Sequence, residues 1–569
     1  MILISILCPV YAYAEDLYIG QSSAGAGDGT SCANQRAISF FNTAGNWGVG
    51  ANKISAGDTV YLCGTITTAM AVQGAGSAGN IITISPAPAQ TTTIDATGMT
   101  SAVFNFSGYN YVTLDGVSGD KVAGDTDYRL VFTNLASTAG TNTFAVYENN
   151  SGNHIAIKHV KAIFTGSTSP DDNGGGIYVR SIDGVDFEIA YCWVTGTSAP
   201  NKHAMGITTF AGAGNGTSYT SFAIIHHNYV EYMYHDGMRG GANNSFYNNY
   251  IKEIGGSGHS DGIICQSGNY CAIYNNTFDN GAEIYLDNIL DNTRTGIRVY
   301  NNVGWNSGAG ASFGVEIISE GGGSSVWDDV VIANNTFCNS ASGIRGSGGA
   351  VTNLVIMNNI FCAPTQSYEN ITGSNGITFS YASNTSFDYN AYGLGGPNSP
   401  DIHNVSTVIS TLAELQALSP ARETNGRTGT VTFVNSGTGD FHLSGSDTVA
   451  QGNGVDLTST YSYLTTDKDG VARPNGSAWD VGAYEYVPVT TNGLALFLQS
   501  VEVLIPLSGL LWHFRRGLVS AAAYLSLSTQ LLMALIVVPQ LEIAGRRSAF
   551  VAITTASRAM TLLARRGGR

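Results

Sequence analysis

Short apolar runs recur along this chain, each behind an Asn-rich corner: HHNYV (226–230), YNNYI (247–251), YNNTF (274–278), YNNVG (300–304), ANNTF (333–337) and MNNIF (357–361). The second Asn of each falls at Asn228, Asn249, Asn276, Asn302, Asn335 and Asn359, at intervals of 21, 27, 26, 33 and 24 residues. A second marker keeps phase with it, a Gly-apolar pair that opens a strand: Gly176-Ile177, Gly206-Ile207, Gly237-Met238, Gly262-Ile263, Gly314-Val315, Gly343-Ile344 and Gly376-Ile377. Two markers in phase at an irregular period predict a solenoid, in which each coil buries its face only by stacking on the next. At a tight corner Asn tolerates left-handed backbone angles, and its amide can pair with the Asn one coil away, about 4.8 Å along the axis. Ile, Val, Phe and Tyr are then expected to stack inward.

This pattern resembles the right-handed parallel β-helix proteins of the pectate-lyase-like superfamily, through roughly residues 100 to 395. The fold class it implies is all-β, a single-stranded right-handed parallel β-helix. Lyases, hydrolases, epimerases and passive adhesins share that scaffold, so the resemblance leaves activity open. Residues 15–100, with LYIGQSSAGAGDGTSCANQRAISFFN and the step GDTVYL, resemble the N-terminal cap of exported β-helix proteins, with an amphipathic helix near Cys32 to Asn42. Coils are expected over 101–395, and 396–487 should hold further coils, a helix near Thr411 to Leu418 and the string DVGAYEY (480–486). That string resembles the closing strand of many exported β-helix proteins and is expected to seal the C-terminal end.

Charge divides the chain. Residues 1–487 hold 17 Lys and Arg against 39 Asp and Glu, a net of −22, and residues 488–569 hold 8 Arg against Glu502 and Glu542, a net of +6; together these make the overall −16. An acidic body excludes nucleic acid as the partner, because that binding needs basic residues against phosphates. It also attracts a polyanion poorly unless a bound cation bridges the two. In the tail, Gly517 to Leu541 is a 25-residue uncharged run, long enough to cross a bilayer. A membrane partner follows only if this run is a true anchor. The reading favoured here is an unrelated extension, since Lys is absent and Arg, Ala and Leu dominate.

Residues 1–14 end in Ala12-Tyr13-Ala14 and read as a secretory signal peptide. A secreted or cell-surface location follows, and in such a compartment cysteines pair. Cys32 with Cys63 would staple the cap; Cys338 and Cys362 occupy the same place in successive coils and form either a disulfide or an inward stack.

Candidate chemistry gathers just before successive strand starts: Lys202 and His203 before Gly206, His235 and Asp236 before Gly237, His259 and Asp261 before Gly262. Asp236 and Asp261 are one coil apart, so they should be stacked neighbours. Two carboxylates at strand spacing repel, which raises one pKa or recruits a cation such as Ca²⁺. The first outcome supplies a general acid for sugar hydrolysis. The second grips a uronate carboxylate and leaves His235, His259 or Arg239 as the base for β-elimination. HSDGI (259–263) resembles in part a step of polygalacturonase-like hydrolases, whose remaining motifs are missing here. Glu316, Glu320 and Arg345 lie further along the same face as subsites or a solvated surface. Asp115, Asp120, Asp125 and Asp127 form an acidic loop, and Tyr178, Tyr232, Tyr234 and Tyr285 are either sugar platforms or ordinary strand formers. The expected partner is a polysaccharide, bound by a lyase, a hydrolase or a non-catalytic scaffold. Asp before Gly is also a common turn capping pair, which competes with every site reading.

Overall fold

A computed structural model describes residues 15–116, 128–136, 143–148, 152–166, 175–179, 186–196, 205–209, 222–255, 261–280, 284–289, 292–305, 313–318, 325–338, 342–347, 350–362, 366–369, 386–393, 402–403, 408–409, 411–417 and 421–488. The signal peptide, the tail beyond 488, Lys202, His203, His259, Glu320, Asp120, Asp125, Asp127 and the Gly376-Ile377 marker lie outside them. Two compact units divide at Val487/Pro488. Among the described residues no helix is long and apolar enough to cross a membrane.

Three long sheets, each strand parallel to its neighbours through the coils, make a right-handed parallel β-helix. Sheet A has fourteen strands, running from Asp16–Gly20 through Ser245–Tyr247 to Ser386–Asp388; sheet B has thirteen, from Thr65–Ile66 through Tyr250–Lys252 to Arg427–Thr428; sheet C has thirteen, from Met70–Ala71 through Met238–Gly240 to Val408–Ile409. One turn of chain visits C, A and B in that order and returns to C one rung on, so Met238 pairs with Ile263, Phe246 with Ile273 and Ile251 with Phe278. Such parallel pairing leaves both ends of every strand to corners, and the corners decide the fold.

The corner from sheet A to sheet B is two residues long, and the two divide the work that the sequence assigned to one Asn. Its first residue is left-handed: Tyr191, His227, Asn248, Asn275, Asn301, Asn334, Asn358 and Tyr389 all have φ between 54° and 59°. The second builds the ladder. Asn228 donates both its backbone N–H and its side-chain amide to Asn249 Oδ1, each at 3.0 Å. Asn249 does the same to Asn276, and Asn276 to Asn302, again at 3.0 Å. The series continues through Asn335 and Asn359 to Asn390, a rung that stands in YNAYG and lacks the doubled Asn. The remaining amide hydrogen of each goes to a backbone carbonyl of the preceding coil, as from Asn276 to Phe246 at 2.9 Å. Every polar atom of these buried amides is therefore used.

The strand-opening glycines have a steric cause. A Cβ at Gly206 would run into the Gly237 carbonyl oxygen and Val230, and one at Gly237 into the Gly262 carbonyl oxygen and Ile251. Inward stacks follow the register: Ile189, Ile225, Phe246 and Ile273 in sheet A, and Ile207, Met238, Ile263 and Ile284 in sheet C, all 1% exposed or less. Ile284 heads a coil that the Gly marker misses, because Glu283 precedes it. In sheet B Gly304 makes room for the rings of Phe278 and Phe337 on either side.

At the N-terminal end, the expected amphipathic helix shrinks to a 3-10 turn at Cys32–Asn34 and one α turn at Ile38–Phe41, with Phe41 and Trp47 in edge contact beneath it. Cys32 and Cys63 are bonded, as are Cys338 and Cys362 across adjacent strands of sheet B. Both disulfides belong to an oxidising, extracytoplasmic setting. The helix at Leu412–Gln416 opens with a capping box between Thr411 and Glu414.

DVGAYEY does not close the end of the helix. Residues 480–486 form no strand, and the segment 455–486 lies along the side of the coils, over the Asn corner. Gly482 N–H donates to Asn358 O, Ala483 N–H to Thr336 Oγ1 and Arg473 to Asn301 Oδ1. Lys468 reaches the Asn275 carbonyl, and Leu457, Leu464 and Trp479 pack on Tyr300, Val331 and Ala333 of sheet A. The physical reason is that the left-handed corner residues leave side-chain and backbone groups facing outward, and the segment supplies their partners. A buried Arg473–Glu485 pair at 2.6 Å pins it from within.

Three outcomes test this architecture. Replacing Asn276 by Ala leaves two buried donors of Asn249 without an acceptor, so urea unfolding should show a loss of about 3 kcal/mol, at the usual cost of orphaned buried donors. The last rung is a carboxylate: Asn390 and Tyr392 donate to Glu423, whose burial pushes its pKa up to about 7, against the pull of those donors. A raised carboxyl favours the folded state while protonated, so stability should fall as pH rises from 4.5 through about 7, and Glu423→Gln should make that limb shallower in pH-dependent melts. A chain ending at Pro488 should keep the same cooperative melt as the full chain.

Candidate functional site

Sheet C carries the charged residues that the sequence singled out. Asp236 and Asp261 end the approach to successive strands of this sheet: the Asp236 carbonyl accepts from Gly206 N–H at 2.9 Å and the Asp261 carbonyl from Gly237 N–H at 2.8 Å. They therefore occupy neighbouring rungs. Both are buried, Asp236 at 0% and Asp261 at 3% exposure.

Asp236 sits between an imidazole and a guanidinium. Its Oδ1 is 3.0 Å from His235 Nδ1 and its Oδ2 is 3.2 Å from Arg239 Nε. The His235 and Arg239 side chains are 7% and 16% exposed, so both are held against the sheet with only their outer edges reaching solvent. Local geometry explains the triad. Arg239 follows the inward Met238 and so points outward, then folds back three residues along the chain to meet the carboxylate, while His235 reaches it from the adjoining position. The Asp236 carboxylate thus lies directly beside imidazole Nδ1.

A Ca²⁺ ion between Asp236 and Asp261 would have to displace the Arg239 guanidinium from Asp236. Among the described residues no three His, Cys, Asp or Glu side chains converge as a metal site. The bridging ion that the spacing implied would therefore compete with Arg239 for Asp236.

Glu316 and Arg345 belong to the same outward row but not to the same cluster. Register carries Arg239 to Ile264, Tyr285, Glu316 and Arg345 in turn, so Glu316 lies three rungs from Arg239, about 14 Å at the usual strand spacing. Glu316 Oε1 and Arg345 Nε are 3.5 Å apart and form a second ion pair along the row. Between the two clusters Tyr285 is 6% exposed, which makes it a packed strand residue rather than an open platform. A polar pair that the sequence reading passed over stands nearby: Gln266 Nε2 donates to Asp287 Oδ2 at 2.8 Å, both at strand ends and both buried. Its signal was available, since Gln266 and Asp287 each close a Gly-apolar or equivalent strand at the same register. Asp115 of the acidic loop contacts His159 Nδ1 at 2.7 Å on sheet A, away from this row.

No family model matches the chain, and no curated protein sequence matches it. Among solved structures it is similar to a GH136 lacto-N-biosidase from Eubacterium ramulus, at 14% identity over 61% of this chain and 64% of that one, with a TM-score of 0.44. The chain thus spans under two thirds of that enzyme. A pectate lyase matches at 14% identity over 84% of this chain and 97% of its own, with a TM-score of 0.41. A PL6 family polysaccharide lyase from Pseudopedobacter saltans matches at 12% identity over 76% and 96%, with a TM-score of 0.39. At these identities the likeness lies in the β-helical winding and does not reach the chemistry of the site.

Proposed function

We propose that this chain is an exported protein, released from a signal peptide at residues 1–14, that recognises a polysaccharide along sheet C and acts on it as a lyase. The observation that carries this reading is the buried Asp236 carboxylate held between His235 Nδ1 and Arg239 Nε. In β-elimination a base removes the proton beside a uronate carboxyl, electrons form the new C=C bond, and the glycosidic oxygen leaves. His235, beside Asp236, is the base, and Arg239 offsets the charge that builds on the uronate carboxyl. Asp261 stands on the neighbouring rung, His259 is the alternative base, and Lys202, His203, Glu316 and Arg345 are the candidate sugar contacts.

A hydrolase using Asp236 as acid or nucleophile is less well supported, because a carboxylate with no exposed surface and an arginine partner does not reach a glycosidic bond. A non-catalytic glycan-binding scaffold is the second reading. The same burial favours it, since a buried Asp236 held by Arg239 and His235 also pins a strand start without any chemistry.

A polysaccharide panel scored for unsaturated uronate absorbance and for new reducing ends separates the three. The lyase reading expects absorbance growth per folded molecule that falls at least 100-fold in His235→Ala and in Arg239→Ala, both of which should also melt earlier because Asp236 is left buried without a partner. Asp261→Asn should likewise cut turnover more than stability. Reducing ends without absorbance would make it a hydrolase; glycan binding with neither product would make it a scaffold.

A further inference from the structure

The corner residues of one coil differ from all later ones. Where the following coils place Asn at the left-handed position, as at Asn248 and Asn275, this coil places His227, directly after His226. Their Nδ1 atoms are 2.7 Å apart. His226 Nε2 is 3.2 Å from Glu188 Oε1, and Lys158 Nζ is 2.7 Å from the other oxygen of that carboxylate. His227 Nε2 is 3.2 Å from the Asn248 side-chain amide. Stacking fixes both rings: His226 lies parallel to Tyr247 with centroids 4.9 Å apart, and His227 stacks on Tyr191 at the same distance.

Tautomers follow from these contacts. The Glu188 carboxylate, paired on its other oxygen with Lys158, accepts from His226 Nε2. His226 therefore carries its proton on Nε2 and turns the Nδ1 lone pair toward His227, which must donate its own Nδ1 proton to fill the gap. A single proton thus joins two imidazole nitrogens held 2.7 Å apart. Two nitrogens bound to a metal at about 2.05 Å and at right angles lie about 2.9 Å apart, whereas tetrahedral binding needs about 3.3 Å. The bite matches the tetragonal preference of Cu²⁺ and Ni²⁺.

We propose that His226 and His227 form a two-imidazole site for a tetragonal divalent transition metal, taking Cu²⁺ in preference to Zn²⁺. Binding replaces the shared proton with the metal. Two waters of the hydrated ion leave to solvent, and the His227 proton moves from Nδ1 to Nε2, so no proton is released. The Asn248 amide turns to present its oxygen to that N–H, an orientation that side-chain amides exchange freely. Glu188 keeps His226 in the required tautomer, as carboxylates do behind metal-bound histidines. With no third protein ligand among the described residues, the remaining positions belong to water or to an incoming oxygen ligand. This site stands on sheet A and is independent of the function proposed for sheet C.

The test is a titration of the chelator-washed full chain with CuCl₂ against glycine as competitor, with electron paramagnetic resonance of the bound ion. One Cu²⁺ per chain is expected, with a tetragonal spectrum coupled to two imidazole nitrogens and with affinity at least tenfold above that for Zn²⁺. His227→Asn is the informative variant, because Asn occupies this corner on the following coils and the fold accepts it there. It should melt as the wild type does and bind Cu²⁺ at least tenfold more weakly. Unchanged Cu²⁺ affinity in His227→Asn, the absence of a stoichiometric site in the wild type, or Zn²⁺ bound as tightly as Cu²⁺ would overturn the proposal.

Discussion

The Asn ladder is the constraint from which the other features follow. Each ladder amide accepts two hydrogen bonds at its oxygen from the coil before and sends its backbone N–H and one amide hydrogen to the coil after, so the side-chain row is polarised in one direction, while the other amide hydrogen ties back to a carbonyl of the preceding coil. Hydrogen bonds aligned head to tail strengthen one another, and a buried row satisfied at every atom is rigid. The row begins with Cys192 N–H donating to Asn228 and ends on Glu423, which accepts from Asn390 where an eighth amide would stand. A carboxyl group is a sensible terminator, since its two oxygens accept the last donors of the row without needing a further rung. Because the ladder needs the same two-residue turn on every coil, it locks the register of sheets A and B. Variation in coil length is pushed to the other corners, which explains why the Asn interval wanders between 21 and 33 residues without disturbing the stack.

The same constraint creates a demand that the C-terminal segment meets. A left-handed residue at each corner turns its side chain and carbonyl outward, away from the ladder. Over the later coils residues 455–486 cover that line, with contacts from Asn358 back to Asn275. Part of this cover is aromatic: Tyr247, Tyr274 and Tyr300 stack at 5.0 and 4.8 Å along sheet A, and Tyr463 continues the column at 4.9 Å. His442 adds a charged clasp, lodged between Asp440 and Asp469 and stacked on Tyr484. Burial would lower its pKa, but the two carboxylates win and raise it to about 9, so the clasp is complete below pH 6.5 and is lost as pH rises through that higher value.

The coils were legible in the sequence because the corner is a local demand. Left-handed angles and a buried amide can be met by few residue types, and Asn at a fixed place announces both. What local demand cannot reveal is partnership over long separations. Lys468 and Asn275 are 193 residues apart, and nothing near DVGAYEY says that it will lie along the side of the helix instead of across its end. Ile284 escaped the Gly marker for a related reason: a Cβ at a strand start is excluded only where the next coil and sheet B crowd it, and that crowding is a property of the stack. At the site, the 25-residue spacing gave the neighbouring rungs of Asp236 and Asp261. It could not give the inward fold of the Arg239 side chain, on which the chemistry turns.

That inward fold changes which residue can act. Two stacked carboxylates in isolation would contest one proton or one cation, and the sequence left both outcomes open. Arg239 resolves the contest at Asp236 by supplying a fixed positive charge at 3.2 Å, and His235 closes the other side. Burying the three together costs desolvation that an ion pair of ordinary geometry barely repays, so the cluster contributes little net stability, yet removing one member would strand a buried charge at a cost of several kcal/mol. An arrangement of that kind holds its geometry firmly. Asp236 is thereby withdrawn from contact with any polymer, and what remains at the surface of the cluster is the outer edge of an oriented imidazole beside a guanidinium. Those are the two groups that proton abstraction next to a carboxylate requires, and the lyase proposal rests on them.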